Sequence, residues 1–227
     1  MGNFLPPKNK RILAVFAHPD DESFGPAGTI AKWSRENEVY LVVATDGRHG
    51  LSKEKFGPEK LKEVRRKETL EAARVLGIKK VHFLDFEDGS LCNNLYHKLA
   101  KKIDKFVKFY KPEVVLTFDP NGLTGHVDHI VVSLSTSYVF QKNPYPKLLL
   151  YYCLSKQTTD LVSDYFIFHP SGYCENEVSY KEKVHDTWNI KLKALNCHAS
   201  QKKDVENYLK ITKKLLKEEW FRLLEKG

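Results

Sequence analysis

A run of six apolar residues, Ile12-Leu13-Ala14-Val15-Phe16-Ala17, stops abruptly at His18-Pro19-Asp20-Asp21-Glu22. Without polar alternation, such a run reads as a strand buried on both faces, the kind found in parallel sheets covered by helices. In open parallel sheets, ligands bind outside the carboxyl ends of the strands, which is where this polar cluster falls. One imidazole and three carboxyl groups in five residues concentrate negative charge. Charge of that kind either stays solvated in a loop or is balanced by a cation, a divalent metal being the simplest choice.

The pattern recurs. Val114-Val115-Leu116-Thr117-Phe118 is followed by the turn-rich Asp119-Pro120-Asn121-Gly122 and then by Gly125-His126-Val127-Asp128-His129. Two clusters at two strand ends can face each other across the top of one sheet. Together they offer enough His and Asp ligands for a catalytic zinc site, which takes three protein ligands and leaves one place open. Strands are expected near 11–17, 39–45, 80–85, 113–118 and 147–153, with a short one near 165–168. Helices are expected near 26–36, 61–76, 95–110, 127–140, 189–199 and 203–224. This alternation predicts right-handed βαβ units: an α/β, Rossmann-like three-layer fold with a mainly parallel sheet. Gly77 supplies a helix stop and Pro112 blocks a helix before the fourth strand. No repeat or linker divides residues 1–227, so one domain is expected.

These residues bring the chain to a known family. The pairing of Ala17-His18-Pro19-Asp20-Asp21-Glu22 with Gly125-His126-Val127-Asp128-His129 resembles the zinc-dependent N-acetylglucosaminyl de-N-acetylases of the PIG-L/LmbE type. Thr45-Asp46-Gly47, Arg65-Arg66-Lys67-Glu68, Asp88-Gly89 and Cys197-His198-Ala199-Ser200-Gln201 follow in the expected order, so the likeness covers about residues 10–205. The resemblance implies His18, Asp21 and His129 as zinc ligands and Asp20 as the base that activates water. It implies His126 as the residue that steadies the oxyanion and protonates the leaving amine, with Asp128 orienting its ring, and Arg65 as a substrate contact. Many members carry proline where this chain has Val127, and some carry tyrosine where it has Thr124. Glu22 is left with two readings, a backbone partner at the first helix start or a support for the ligands.

The implied reaction is hydrolysis of an N-acetyl group on a small amino-sugar conjugate, with other divalent ions able to substitute for zinc. Three other readings compete with this one. A dinucleotide-binding oxidoreductase needs a glycine-rich turn after its first strand, and acidic Asp20 and Asp21 stand there instead. A magnesium phosphohydrolase would use Asp20, Asp21 and Asp119, but histidines suit zinc better. A non-catalytic carbohydrate-binding module would not need Asp20.

The 227 residues contain no apolar stretch of the ~18–20 needed to span a membrane, and residues 1–10 lack the apolar core of a secretory signal. Four scattered cysteines fit a reduced, cytoplasmic protein. The net charge of +8 draws partly on a basic C-terminal helix expected at about 203–224. That helix is either a solvated face or, with Trp220 and Phe221, a weak contact with an anionic membrane surface. No nucleic-acid motif is present, and oligomerisation is left open. Residues 47–60 read either as a mobile flap over the site or as a surface loop.

Overall fold

The computed structural model describes residues 5–161 and 169–226. In chain order the elements are β1 (Arg11–Phe16), α1 (Asp21–Phe24), α2 (Ala27–Trp33), β2 (Glu38–Thr45), α3 (Lys53–Phe56), α4 (Pro58–Leu76), β3 (Lys80–Phe86), α5 (Tyr96–Tyr110) and β4 (Val114–Phe118). They continue with α6 (Gly122–Gly125), α7 (Val127–Lys142), β5 (Leu148–Cys153), α8 (Lys156–Thr159), β6 (Tyr180–Lys183), α9 (Trp188–Asn196), α10 (Lys202–Thr212) and β7 (Glu218–Glu225).

The sheet order is β3-β2-β1-β4-β5-β7-β6. The first five strands are parallel, and β7 runs antiparallel to both β5 and β6. Helices α5 and α7 cover one face, while α2, α4 and α9 pack together on the other, which gives the expected three layers. The central strands are apolar on both sides because both sides are covered: every residue from Ile12 to Phe16 is at most 1% exposed. Helix α5 shows how the layers form. Leu99, Ile103 and Val107, spaced by four, face the sheet, while Lys98, Lys101, Lys105 and Lys108 face water. Pro58 opens α4 and Gly77, at φ 77°, closes it in the left-handed conformation that glycine adopts without strain.

One expectation fails at the C-terminus. The helix foreseen over 203–224 ends at Thr212, and Glu218–Glu225 form β7. Glu219 and Phe221 are buried, with the half-exposed Trp220 between them, a period of two that belongs to a strand. Pairing of Tyr152 with Phe221 and Leu150 with Leu223 overrides the helix propensity of a lysine- and leucine-rich segment. Phe221 is fully buried, so it offers nothing to a membrane surface. Strand β6, a polar edge strand, was not foreseen, and the strand expected near 165–168 lies outside the described residues.

The sheet reverses its winding between β1 and β4. Chain leads to β2 and β3 on one side and to β5 on the other, so the loops after β1 and β4 part and leave a crevice at the carboxyl ends. Both polar clusters stand at that crevice, joined by the ends of β2 and β3.

Candidate metal centre

His18 leaves β1 with its backbone N–H bonded to Asp21 Oδ2 at 2.6 Å. Its Nε2 lies 3.2 Å from Asp88 Oδ1 and 3.2 Å from Asp128 Oδ2. Those carboxylates accept hydrogen bonds from Nε2, which leaves Nδ1 turned inward. His129, on the first turn of α7, stacks on Phe118 with ring centroids 4.1 Å apart. Its Nδ1 donates to the Gly122 carbonyl at 3.1 Å, which leaves Nε2 as its inward lone pair. A ring proton committed to a carbonyl or carboxylate is the usual support of a metal-bound histidine.

The two inward nitrogens meet. His18 Nδ1 is 3.0 Å from His129 Nε2 and 3.6 Å from Asp21 Oδ2, and His129 Nε2 is 3.4 Å from the other Asp21 oxygen, Oδ1. Donors 2.0–2.1 Å from a tetrahedral zinc lie about 3.3 Å from one another, the scale of these separations. His126 extends the cluster: nitrogens of His18, His126 and His129 all lie within 4.8 Å of one another.

The electrostatics agree. Burial works against a charged His18, yet Asp128, Asp88 and Asp21 outweigh it and hold its pKa at about 10 in the metal-free chain. That is strong local demand for a cation. Burial, reinforced by Asp20 and Glu22, lifts Asp21 to about 7 against the pull of His18. His129 is driven well below the usual histidine range by burial and then by His18 and His126. It stays neutral, as a ligand must.

Asp20 stands beside the triad at φ 134°, a conformation that costs an L-residue on the order of 1–3 kcal/mol. Arg65, on α4, donates to Asp20 Oδ2 at 2.7 Å, to the Pro19 carbonyl at 2.7 Å and to the Gly47 carbonyl at 2.8 Å. Arg65, the expected substrate contact, lies buried against Asp20. Gly47 is needed here, since a Cβ on it would sit 2.7 Å from the guanidinium. Asp128, expected to orient His126, meets that ring through its backbone. Its carboxylate serves the Gly89 and Leu91 amides (2.8 and 3.0 Å) and His18, while its own backbone N–H holds His126 Nδ1 at 3.2 Å. His126 is lowered from its usual pKa, by burial first and then by the neighbouring His18.

Glu22 fills the first of its readings, as a backbone partner at the start of α1. Its Oε2 accepts the Asp20 N–H at 3.3 Å, and its Oε1 takes Ser23 Oγ at 2.8 Å and faces His198 Nε2 at 3.1 Å. The segment after β2 is held against the rim. His49 N–H donates to Asp88, Leu51 N–H to Gln201, and Ser52 Oγ to the Ser200 carbonyl. Asp88 and His198 had no assigned role, although Asp88 carries the same strand-end signal as His18.

Residues 13–139 match the PIG-L family, described as GlcNAc-PI de-N-acetylase. The chain belongs to the PIG-L family. Both strand-end clusters and Arg65 fall inside that match. A probable N-acetyl-alpha-D-glucosaminyl L-malate deacetylase 2 of Bacillus anthracis is 32% identical to this PIG-L chain over 199 residues, covering 86% of it and 83% of the relative. Mycothiol S-conjugate amidase of Streptomyces coelicolor is 34% identical over 152 residues, but these cover 58% of this chain and 52% of the relative, about half its length. Among solved structures, N,N'-diacetylchitobiose deacetylase from Pyrococcus horikoshii superposes with a TM-score of 0.75 at 26% identity, covering 95% of this chain and 84% of that one. The names of all three relatives are those of amide-cleaving enzymes.

Proposed function

We propose that this PIG-L chain, acting as one domain, removes the N-acetyl group of an N-acetylglucosamine conjugate, releasing acetate and a free amine, with zinc held by His18, Asp21 and His129. The carrying observation is the convergence of His18 Nδ1, His129 Nε2 and the Asp21 carboxylate beside a second carboxylate, Asp20. Zinc, when bound, supplies Lewis acidity toward the amide carbonyl and brings a coordinated water to a pKa of about 7. Two imidazole donors favour zinc over magnesium, which prefers oxygen, and so weigh against the phosphohydrolase reading.

Asp20 takes the proton of the attacking water, a role worth about 10²–10⁴-fold. His126 donates to the oxyanion that develops on the acyl carbon. Its Nδ1 accepts the Asp128 amide, so the ring proton sits on Nε2 and the neutral ring is the donor. Asp20, having gained a proton next to the reacting amide, returns it to the leaving amine. The sequence assigned that last step to His126; the amide bond at Nδ1 moves it to Asp20 in this reading. Asp88 and Asp128 fix the His18 ring.

The excess of positive charge suits an anionic aglycone without selecting one. The four free thiols, Cys92, Cys153, Cys174 and Cys197, support a cytoplasmic site of action. Among the described residues, no helix is long and apolar enough to cross a membrane. The test is a panel of N-acetylglucosamine, its malate and inositol glycosides, and N,N'-diacetylchitobiose, offered to the zinc-loaded chain. Acetate and primary amine should appear in equal amounts from at least one. Acetate from none, with zinc content verified, would overturn the reading.

A further inference from the structure

Helix α7 does not follow the apolar-in, polar-out pattern of α5. From Ile130 to Gln141 it carries no charged residue, and its outer side presents Val127, Leu134 and Tyr138, each more than half exposed. A helix that is apolar all round is ordinarily covered on every side. Tyr96, His97 and Ala100 of α5 meet Val131, Leu134 and Tyr138 across a groove of about 190 Å³, and Phe109, near the end of α5, is 76% exposed. We propose that this α5/α7 face is a docking surface for an anionic lipid bilayer.

Charge selects the occupant. Lys98, Lys101 and Lys105 on α5 and Lys142 on α7 are all exposed. The only carboxylates on the two helices are Asp128, which is buried, and Asp104, which is taken by Lys108 at 2.7 Å and Asn143 at 2.8 Å. Neither helix therefore offers a carboxylate to those four lysines; Lys142 Nζ stands over the Tyr138 ring instead, 5.9 Å from its centroid. A second copy of the chain meeting this face about a two-fold axis would set lysines against lysines. A nucleic acid would answer the lysines but leave Val127, Leu134 and Phe109 without cover. A bilayer surface answers both, because lysine ammoniums reach anionic headgroups while aliphatic and aromatic side chains settle at the acyl boundary.

The test is flotation of the full chain with vesicles of phosphatidylcholine, with and without phosphatidylserine at one part in three. The chain should float with the anionic vesicles and stay behind with the neutral ones, a comparison that needs no variant, no zinc and no amino sugar. Each lysine near an anionic surface adds about fivefold to partitioning, so Lys98→Gln/Lys101→Gln/Lys105→Gln should bind about 10²-fold more weakly. Leu134→Ser/Tyr138→Ser, with charge unchanged, should lose about tenfold or more. Removing the same charge from exposed Lys210, Lys213 and Lys214 should cost less than about threefold, since charges away from the contact are screened by salt. Failure to float with phosphatidylserine, equal flotation without it, equal loss in the two lysine triples, or full binding by Leu134→Ser/Tyr138→Ser would each overturn the proposal. So would a chain that ignores vesicles and sediments as a dimer that Leu134→Ser/Tyr138→Ser takes apart, which would make this face an interface between copies.

Discussion

Asp128→Asn separates the role the structure gives Asp128 from the one its sequence position suggests. Both oxygens are in use: Oδ1 accepts the Leu91 amide at 3.0 Å, while Oδ2 accepts the Gly89 amide at 2.8 Å and faces His18 Nε2 at 3.2 Å. Asparagine brings one oxygen and one NH2. If its oxygen stays on Leu91, the NH2 meets two donors, Gly89 N–H and His18 Nε2–H. If the amide turns over, the Leu91 N–H loses its acceptor. A donor loses its acceptor either way, the N–H of exposed Gly89 in the first case and the buried Leu91 amide in the second, and the second carries the full cost of about 1–3 kcal/mol. For a chain of this size that lowers Tm by roughly 2–4 °C per kcal/mol. His18 also loses half of the carboxylate pair that fixes its tautomer, and loss of such support weakens metal affinity about 10–100-fold. Thermal melts of the metal-free chain and zinc titration against a competing chelator read the two effects. Unchanged zinc affinity together with a large loss of kcat would instead return Asp128 to service of His126.

Asp20→Asn should keep zinc and lose about 10²–10⁴-fold in rate, whereas Asp21→Asn should bind zinc more weakly; equal metal loss in the two would mean the carboxylates are exchanged. Glu219→Gln removes the partner of fully buried Lys191 at 2.7 Å and weakens the cap on the Gly28 and Thr29 amides. Breaking a buried pair costs about 3–5 kcal/mol, and a urea midpoint within error of wild type would contradict this. His198 is fully buried, and although burial opposes its charge, the bond to Glu22 prevails and raises its pKa. Its stabilisation is therefore complete below the unfolded value of about 6.5 and fades as pH rises through the folded value. Wild type minus His198→Gln should shrink between pH 5.5 and 8.5; a difference that grows with pH would exclude a charged His198.

The strand-end clusters were legible because both parts of the signal are local: an uninterrupted apolar run and the polar residues directly after it. His18, Asp21 and His129 need only those two runs to lie side by side, as they do. Other features depend on partners that leave no mark in sequence. Two of the three bonds of Arg65 go to backbone carbonyls, which every residue carries. Asp88 carries a strand-end signal of its own, but only the pairing of β3 with β2 shows that it reaches His18. Strand β7 was hidden by lysine- and leucine-rich composition; its identity comes from β5 on one side and β6 on the other, an effect of context on strand preference.

Hydrolysis that depends on a single ion held by His18, Asp21 and His129 is read by titrating chelator-stripped chain with zinc while acetate release from its best N-acetylglucosaminide is followed. No release is expected before zinc, then a rise that levels off at about one equivalent, with no recovery in the His18→Ala/His129→Ala double variant. Release undiminished by the chelator, or restored equally in the double variant, would contradict it.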